Sequence, residues 1–160
     1  MIQWIHKETK EFLYMAKMTK NDLRYFEIAH REAQKSTYNP FHLGCVLVYK
    51  GHVIGRGHNS SKSAPIQEKY NRFREFRYGP QLVEHKLHAE IASLKSVPYQ
   101  VDKETDWSKV SCYIYRISKG RESGFGTARP CGACMQALID KGVKKVYYTT
   151  NHGYAYEEIL

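Results

Sequence analysis

His88-Ala89-Glu90 and, further along, Pro130-Cys131-Gly132-Ala133-Cys134 are the two stretches that constrain this chain most. Together they supply one imidazole, one carboxylate and two thiols. Cys131 and Cys134 are three apart, so at the start of a helix both sulfurs lie on one face, about one turn from each other. The partial positive charge of a helix N-terminus favours thiolates over thiols. Pro130 lacks an N–H and has a fixed φ, which suits the first turn. Two anionic soft ligands are thus presented as a pair, with His88 as the natural third. Zinc takes four ligands in structural sites, but three protein ligands and a water in catalytic ones. A Cys, Cys, His set leaves that fourth position open, where a water is far more acidic than in bulk. Glu90, two residues after His88, does not share the ligand geometry. It flanks the metal from the same first turn and is placed to take that water's proton.

Around these stretches the pattern alternates between helices and strands. HAEIASLKS (residues 88–96) reads as a helix ended by Pro98, and Cys131–Lys141 as one closed by Gly142. Between them Lys109–Ile117 reads as a strand, followed by the Gly-rich loop GRESGFGTARP; Val143–Thr150 is a further strand. The tail NHGYAYEEIL is too short to classify. Upstream, Gly44–Tyr49 and His52–Gly57 flank the turn signal Lys50-Gly51 and form a hairpin. Before it come a helix near residues 5–17 and a second from Asn21 to Lys35. Asn21 caps the second helix, Leu23, Phe26, Ile28 and Ala29 give it an apolar face, and Ser36–Pro40 break it. Residues 59–86, including IQEKYNRFREFRYGP, read as an insertion or lid with some helical content, because long connections in compact domains are often functional. The order helix, strand, strand, helix, strand, helix, strand packs most economically as a sheet with helices on its faces, in one domain over residues 1–160.

Composition narrows the function classes. Hydrophobic residues make up 42% of 160, enough for a folded core, and no run of about 18 apolar residues suggests a membrane span. Charges interrupt MIQWIHKETKEF too early for a signal peptide, so the expected compartment is the cytoplasm. There Cys131 and Cys134 read as metal ligands rather than a disulfide, and Cys45 and Cys112, in apolar runs, as buried thiols. A net charge of +9 favours an anionic partner, although a solvated basic surface accounts for it equally well.

HLGCVLVYKGHVIGRGHN, LHAEIASL and ARPCGACMQALIDKGVKKVYYT together make the chain resemble the cytidine deaminase superfamily. Within it, the likeness is to the deoxycytidylate deaminase-like branch that includes small phage-type enzymes. The resemblance runs from roughly Phe41 to Thr150. It implies an α/β three-layer fold, a mixed sheet of four to five strands flanked by helices. It implies zinc on His88, Cys131 and Cys134, with Glu90 as proton shuttle. Asn59, ending the hairpin, matches an asparagine that contacts the nucleotide sugar; Asn-Ser-Ser also suits a plain turn. Gly44, Cys45 and Ala89 are assigned to the base pocket. The chain departs from the branch at Ala92, where many members carry a particular residue, and at Arg129-Pro130-Cys131, where they often have Cys-Pro-Cys.

The resulting expectation is zinc-dependent hydrolytic deamination of a cytosine nucleotide, dCMP to dUMP foremost, with Glu90 protonating N3 and ammonia leaving from C4. Arg129, Lys69, Arg72, Arg74 and Arg77 are candidates for the substrate phosphate; each also reads as solvated charge. Tyr70, Phe73, Phe76 and Tyr78 interleave with the arginines, which suits a base in single-stranded DNA or tRNA, or equally an amphipathic lid or subunit contact. A non-enzymatic zinc-stabilised module is a third reading. It needs a fourth ligand from His85, Cys112 or Cys45 and leaves Glu90 without a role. Relatives commonly form homo-oligomers, so one is expected here.

Overall fold

The computed structural model describes residues 18–74, 84–120 and 124–159. The expected helix near residues 5–17 and most of the basic stretch beyond Arg74 lie outside them. The helices are α1 (Lys20–Ala33), α2 (Pro65–Asn71), α3 (Ala89–Ser96), α4 (Tyr99–Glu104) and α5 (Gly132–Lys141). The strands are β1 (His42–Tyr49), β2 (His52–His58), β3 (Val110–Ile117), β4 (Phe125–Gly126), β5 (Lys145–Thr149) and β6 (Tyr154–Glu158).

The strands form one mixed sheet in the order β2-β1-β3-β5-β6, with β4 paired to the end of β3. Only β3 and β5 run parallel; β1–β2, β1–β3, β3–β4 and β5–β6 are antiparallel. A parallel pair requires a crossover, which α5 supplies. The sheet therefore has six strands, against the four to five expected. β4 is only two residues within a Gly-rich loop, and β6 comes from the unclassified tail. β4 is ordered by pairing with the longer β3, and β6 by pairing with β5.

Both faces of the sheet are covered, as the apolar runs of β1 and β3 require. Cys45, Leu47, Cys112, Ile114 and Val146 face a core shared with Met135 and Leu138 of α5. Val46, Val48, Tyr113 and Tyr115 face the opposite way, against Tyr25, Phe26 and Ala29 of α1. Alternation along the strands makes the three layers.

α1 begins two residues earlier than a cap at Asn21 would dictate, and its cap is Thr19. The Thr19 hydroxyl accepts from the Asp22 amide at 3.0 Å, while Asp22 accepts from the Thr19 amide at 3.0 Å. This reciprocal box satisfies two otherwise orphaned donors. Leu23, expected on the buried face, is exposed. α1 crosses β1 at Gly44, where a Cβ would run into the Ala29 carbonyl oxygen and the Ala33 amide. α4 has no counterpart in the sequence reading, since none of its six residues is buried and it offers no apolar stripe.

Candidate active site

Two helix starts meet to make the site. His88 is the N-cap of α3 (φ −83°, ψ 155°) and Cys131 the N-cap of α5 (φ −68°, ψ 169°). Neither side chain caps its own helix, so both are available to each other. Cys134 follows one turn into α5. His88 Nδ1 lies 3.2 Å from Cys134 Sγ and 3.6 Å from Cys131 Sγ, and the three ligand atoms are all within 4.8 Å of one another. With Zn–N near ~2.0 Å and Zn–S near ~2.3 Å, tetrahedral ligands stand about 3.5 Å apart. The trio fits zinc.

Donor chemistry supports the same fit. Cys134 donates its S–H to Cys131, which outweighs burial and, with His88, brings the Cys131 thiol down to about 4. Cys134 is the other half of that pair: burial and its bond to Cys131 push its thiol up. One proton is thus held between two sulfurs, a place where a divalent cation can substitute. Burial opposes protonation of His88, but Cys131 and Glu90 outweigh it and raise the imidazole. Among the described residues this is the one His/Cys/Asp/Glu cluster able to hold a metal, and it has three ligands. The fourth ligands that a closed zinc module needs are engaged elsewhere. Cys45 and Cys112 face each other at 3.4 Å, and His85 Nδ1 is bound by Asn71 at 3.1 Å.

Glu90 is buried in the first turn of α3 beside this cluster. Burial pushes its carboxyl up; the His88 charge opposes this, and the Cys131 thiolate adds to it. A buried carboxyl whose affinity for a proton is raised in this way is suited to proton transfer.

His88, Glu90 and Cys131 open on a cavity of about 550 Å³. That size accommodates a mononucleotide. Ala89, Asn59 and Arg129 also line it; Gly44 and Cys45 do not. Gly44 is the contact point for α1, and Cys45 points the other way, where Ser93 Oγ donates to its sulfur at 3.2 Å. Asn59 is buried, and its amide is largely committed. Oδ1 accepts from Leu43 N at 2.9 Å and from Ser36 Oγ, while Nδ2 donates to Phe41 O at 2.9 Å. Turn chemistry therefore accounts for most of Asn59, with one N–H of Nδ2 beyond those bonds. Arg129 directs Nε at both oxygens of Glu157, at 3.1 and 3.2 Å, so its charge is already answered.

The basic segment divides. Arg74 lines the cavity. Lys69 and Arg72 do not; they lie over the rings of Tyr70 and Phe73 at 5.3 and 4.7 Å. Tyr70 packs with Ile91 and Ala137, and its hydroxyl donates to Asp140 at 2.9 Å, so it belongs to the interior. Arg77, Phe76 and Tyr78 lie outside the described residues. Two cavity cations were missed from the sequence, Lys86 and Arg116. Lys86 Nζ sits 5.4 Å over Tyr38 and Arg116 Cζ 4.9 Å over Phe41, and those rings meet edge-on at 4.9 Å. No local motif marks either residue; strand β3 carries Arg116 to the cavity.

Sheet, crossover and three-ligand cluster together define an α/β domain with a candidate zinc site. The chain belongs to the cytidine and deoxycytidylate deaminases, whose zinc-binding region matches residues 19–150. It is 28% identical over 129 residues to the tRNA-specific adenosine deaminase subunit tad2 of Schizosaccharomyces pombe. That match covers 78% of this chain but only 24% of the relative, so the chain spans about a quarter of its length. In fold it is similar to dCMP deaminase from the cyanophage S-TIM5 in complex with dCMP and dUMP (TM-score 0.52, 22% identity, 83% of this chain and 84% of that one). It is also similar to cytidine deaminase from Burkholderia pseudomallei (TM-score 0.54, 20% identity, 88% and 93%). Among the described residues no helix is long and apolar enough to cross a membrane.

Proposed function

We propose that this chain deaminates the cytosine of a nucleotide, dCMP foremost, taking up water and releasing ammonia to leave the uracil nucleotide. One observation carries the reading: a buried Glu90 stands beside a three-ligand cluster at the floor of a cavity whose walls carry Arg74, Lys86 and Arg116. His88, Cys131 and Cys134 would hold a zinc ion, which would supply Lewis acidity and an acidified water. Glu90 takes the proton from the water, delivers it to ring N3, and passes a second to the departing amine. Burial of Glu90 keeps bulk water from short-circuiting that transfer. Arg74, Lys86 and Arg116 meet the phosphate, and Asn59, Ser60 and Glu84 line the cavity beside Arg74 and Lys86. Arg129, held by Glu157, orients the turn before Cys131. A cytoplasmic nucleotide pool is the source of substrate this reading supposes.

A second reading, a base within single-stranded nucleic acid or tRNA, is favoured by Phe41. It is 38% exposed at the cavity, edge-on to Tyr38, with a cation over each ring. Aromatics flanked by cations suit successive stacked bases. The relative named for tRNA deamination adds weight to it.

The test is ammonia release from dCMP, CMP, dCTP, cytidine, a cytosine-containing single-stranded DNA and an unmodified tRNA. Turnover of dCMP well above cytidine is the expected result. Turnover of the polynucleotides alone transfers the case to the second reading, and silence on every substrate by the zinc-loaded protein overturns both.

A further inference from the structure

We infer that Gln67 is a positioning residue for His88, an inference that rests on His88 serving as a metal ligand. An N-cap backbone N–H lies outside its own helix's hydrogen bonding and needs an acceptor from elsewhere. In a capping box that acceptor is the carboxylate or amide three residues on. Here that residue is Ile91, which has none. Gln67, from α2, fills the vacancy: its Oε1 accepts from the His88 amide at 3.0 Å. Gln67 is 0% exposed. A buried primary amide is costly unless its groups are partnered. Its Nε2 meets that need by donating to Asn71 Oδ1 at 2.8 Å, and Asn71, itself buried, bonds His85 Nδ1 at 3.1 Å.

The direction of this chain is fixed at its inner end. A backbone N–H can only donate, so the oxygen of Gln67 must face His88. Its nitrogen then faces Asn71, whose nitrogen donates to His85 Nδ1. The His85 proton is thereby left on Nε2, which lies 3.8 Å from Glu68. No other orientation of the two amides satisfies every link. Gln67 thus holds the φ and ψ of His88 that turn the imidazole away from its own helix and toward Cys131 and Cys134. The device belongs to α2, which leads on to Arg74 in the cavity wall. Outer partners that orient a ligand typically govern about 10–100-fold in metal affinity.

The experiment uses the full chain and measures zinc affinity against a chromophoric chelator, together with the visible spectrum of the cobalt(II)-loaded protein. Gln67→Leu removes the acceptor at similar volume; Gln67→Glu, protonated when buried, keeps both acceptor and donor. The expected result is a loss of about 10–100-fold in zinc affinity and an altered cobalt spectrum for Gln67→Leu, with recovery to within about threefold in Gln67→Glu. Unchanged affinity and spectrum in Gln67→Leu, or equal losses in both variants, overturns the inference. Should Gln67→Leu not fold, amide exchange of His88 in the unaltered metal-free protein decides. Protection at the level of α3 upholds it, and exchange at the rate of an open amide overturns it. Metal affinity is read independently of turnover, so an inactive but Gln67-dependent zinc site would sink the deaminase reading and leave this one standing.

Discussion

The floor of the cavity and its mouth are built on opposite terms. On the floor, His88, Glu90, Cys131 and Cys134 come from the first turns of two helices, and each is locked by neighbours within hydrogen-bonding reach. At the mouth, Lys86 and Arg116 rest on the faces of Tyr38 and Phe41, and Lys86 also pairs with the exposed Glu84 at 3.0 Å, all partly exposed contacts that a ligand can displace. Locked groups suit chemistry, where misplacement is costly. Displaceable cations suit recognition, where the charge must be free to turn toward a phosphate. The difference teaches that reaction and substrate are encoded separately in this molecule.

The sharpest way to break that separation is at Glu90. Glu90→Gln keeps the size and hydrogen-bonding reach of the side chain but cannot carry a proton. Deamination should fall by at least about 10²–10⁴-fold, the range supplied by general acid–base catalysis. Zinc content, measured by metal analysis, should stay at one per chain, because Glu90 is not one of the three ligands. Full activity in this variant, or loss of zinc, would merge the roles that the floor keeps apart.

Packing at the floor can be broken without touching a reacting group. The backbone of Phe73 passes over the start of α5 at Gly132, where a Cβ would meet the Phe73 carbonyl oxygen. That oxygen belongs to main chain, so it cannot swing aside as a flexible side chain would. Gly132→Ala should cost about 1–3 kcal/mol, the usual range for overpacking, read as a lower urea midpoint with unchanged slope. An unchanged midpoint would show that the segment after α2 yields freely, and that the floor is less locked than its contacts indicate.

Legibility follows the same division. His88, Glu90, Cys131 and Cys134 could be picked out because their spacing is local, set by one helical turn. Gln67 and Asn71 could not: they are four apart and reach each other within α2, but their target, His88, is brought up only by the tertiary fold. Arg116 was hidden for a related reason, since it ends a strand whose neighbours are decided by sheet topology. Gly44 has no side chain, and what its small size serves is the close approach of α1, which only the fold reveals. Thr19 and Asp22 stand three apart, the spacing of a capping box, and outcompete Asn21. Strand β4 was beyond reach, because two residues carry too little pattern before a neighbour pairs with them.

The mouth is tested by its charges. Arg116→Gln and Lys86→Gln each remove one candidate phosphate partner and leave the floor intact. A hydrogen bond to a charged group is worth about 1.5–3 kcal/mol, and partial exposure pulls this toward the lower end. Each substitution should therefore raise KM for dCMP about tenfold, with kcat held and with turnover of deoxycytidine, which lacks the phosphate, unaffected. A matching loss on deoxycytidine would mean that these side chains support the cavity wall rather than read the phosphate.

Phe41→Ala is expected to have the smallest effect, and the smallness is informative. In a site for a free nucleotide the base lies on the floor and nothing stacks at the mouth. Phe41 then serves only as a seat for the Arg116 guanidinium, and kcat/KM for dCMP should change by no more than about fivefold, since exposed cation–π contacts contribute about 0.5–1 kcal/mol. In a site for a polynucleotide the neighbouring bases would stack there, each worth about 1–3 kcal/mol, and the same change would cut turnover of an oligonucleotide by about five- to 150-fold. Comparing the two substrates in one variant therefore separates the two readings even if both are turned over by the unaltered protein, because only a stacked base feels the loss of the ring.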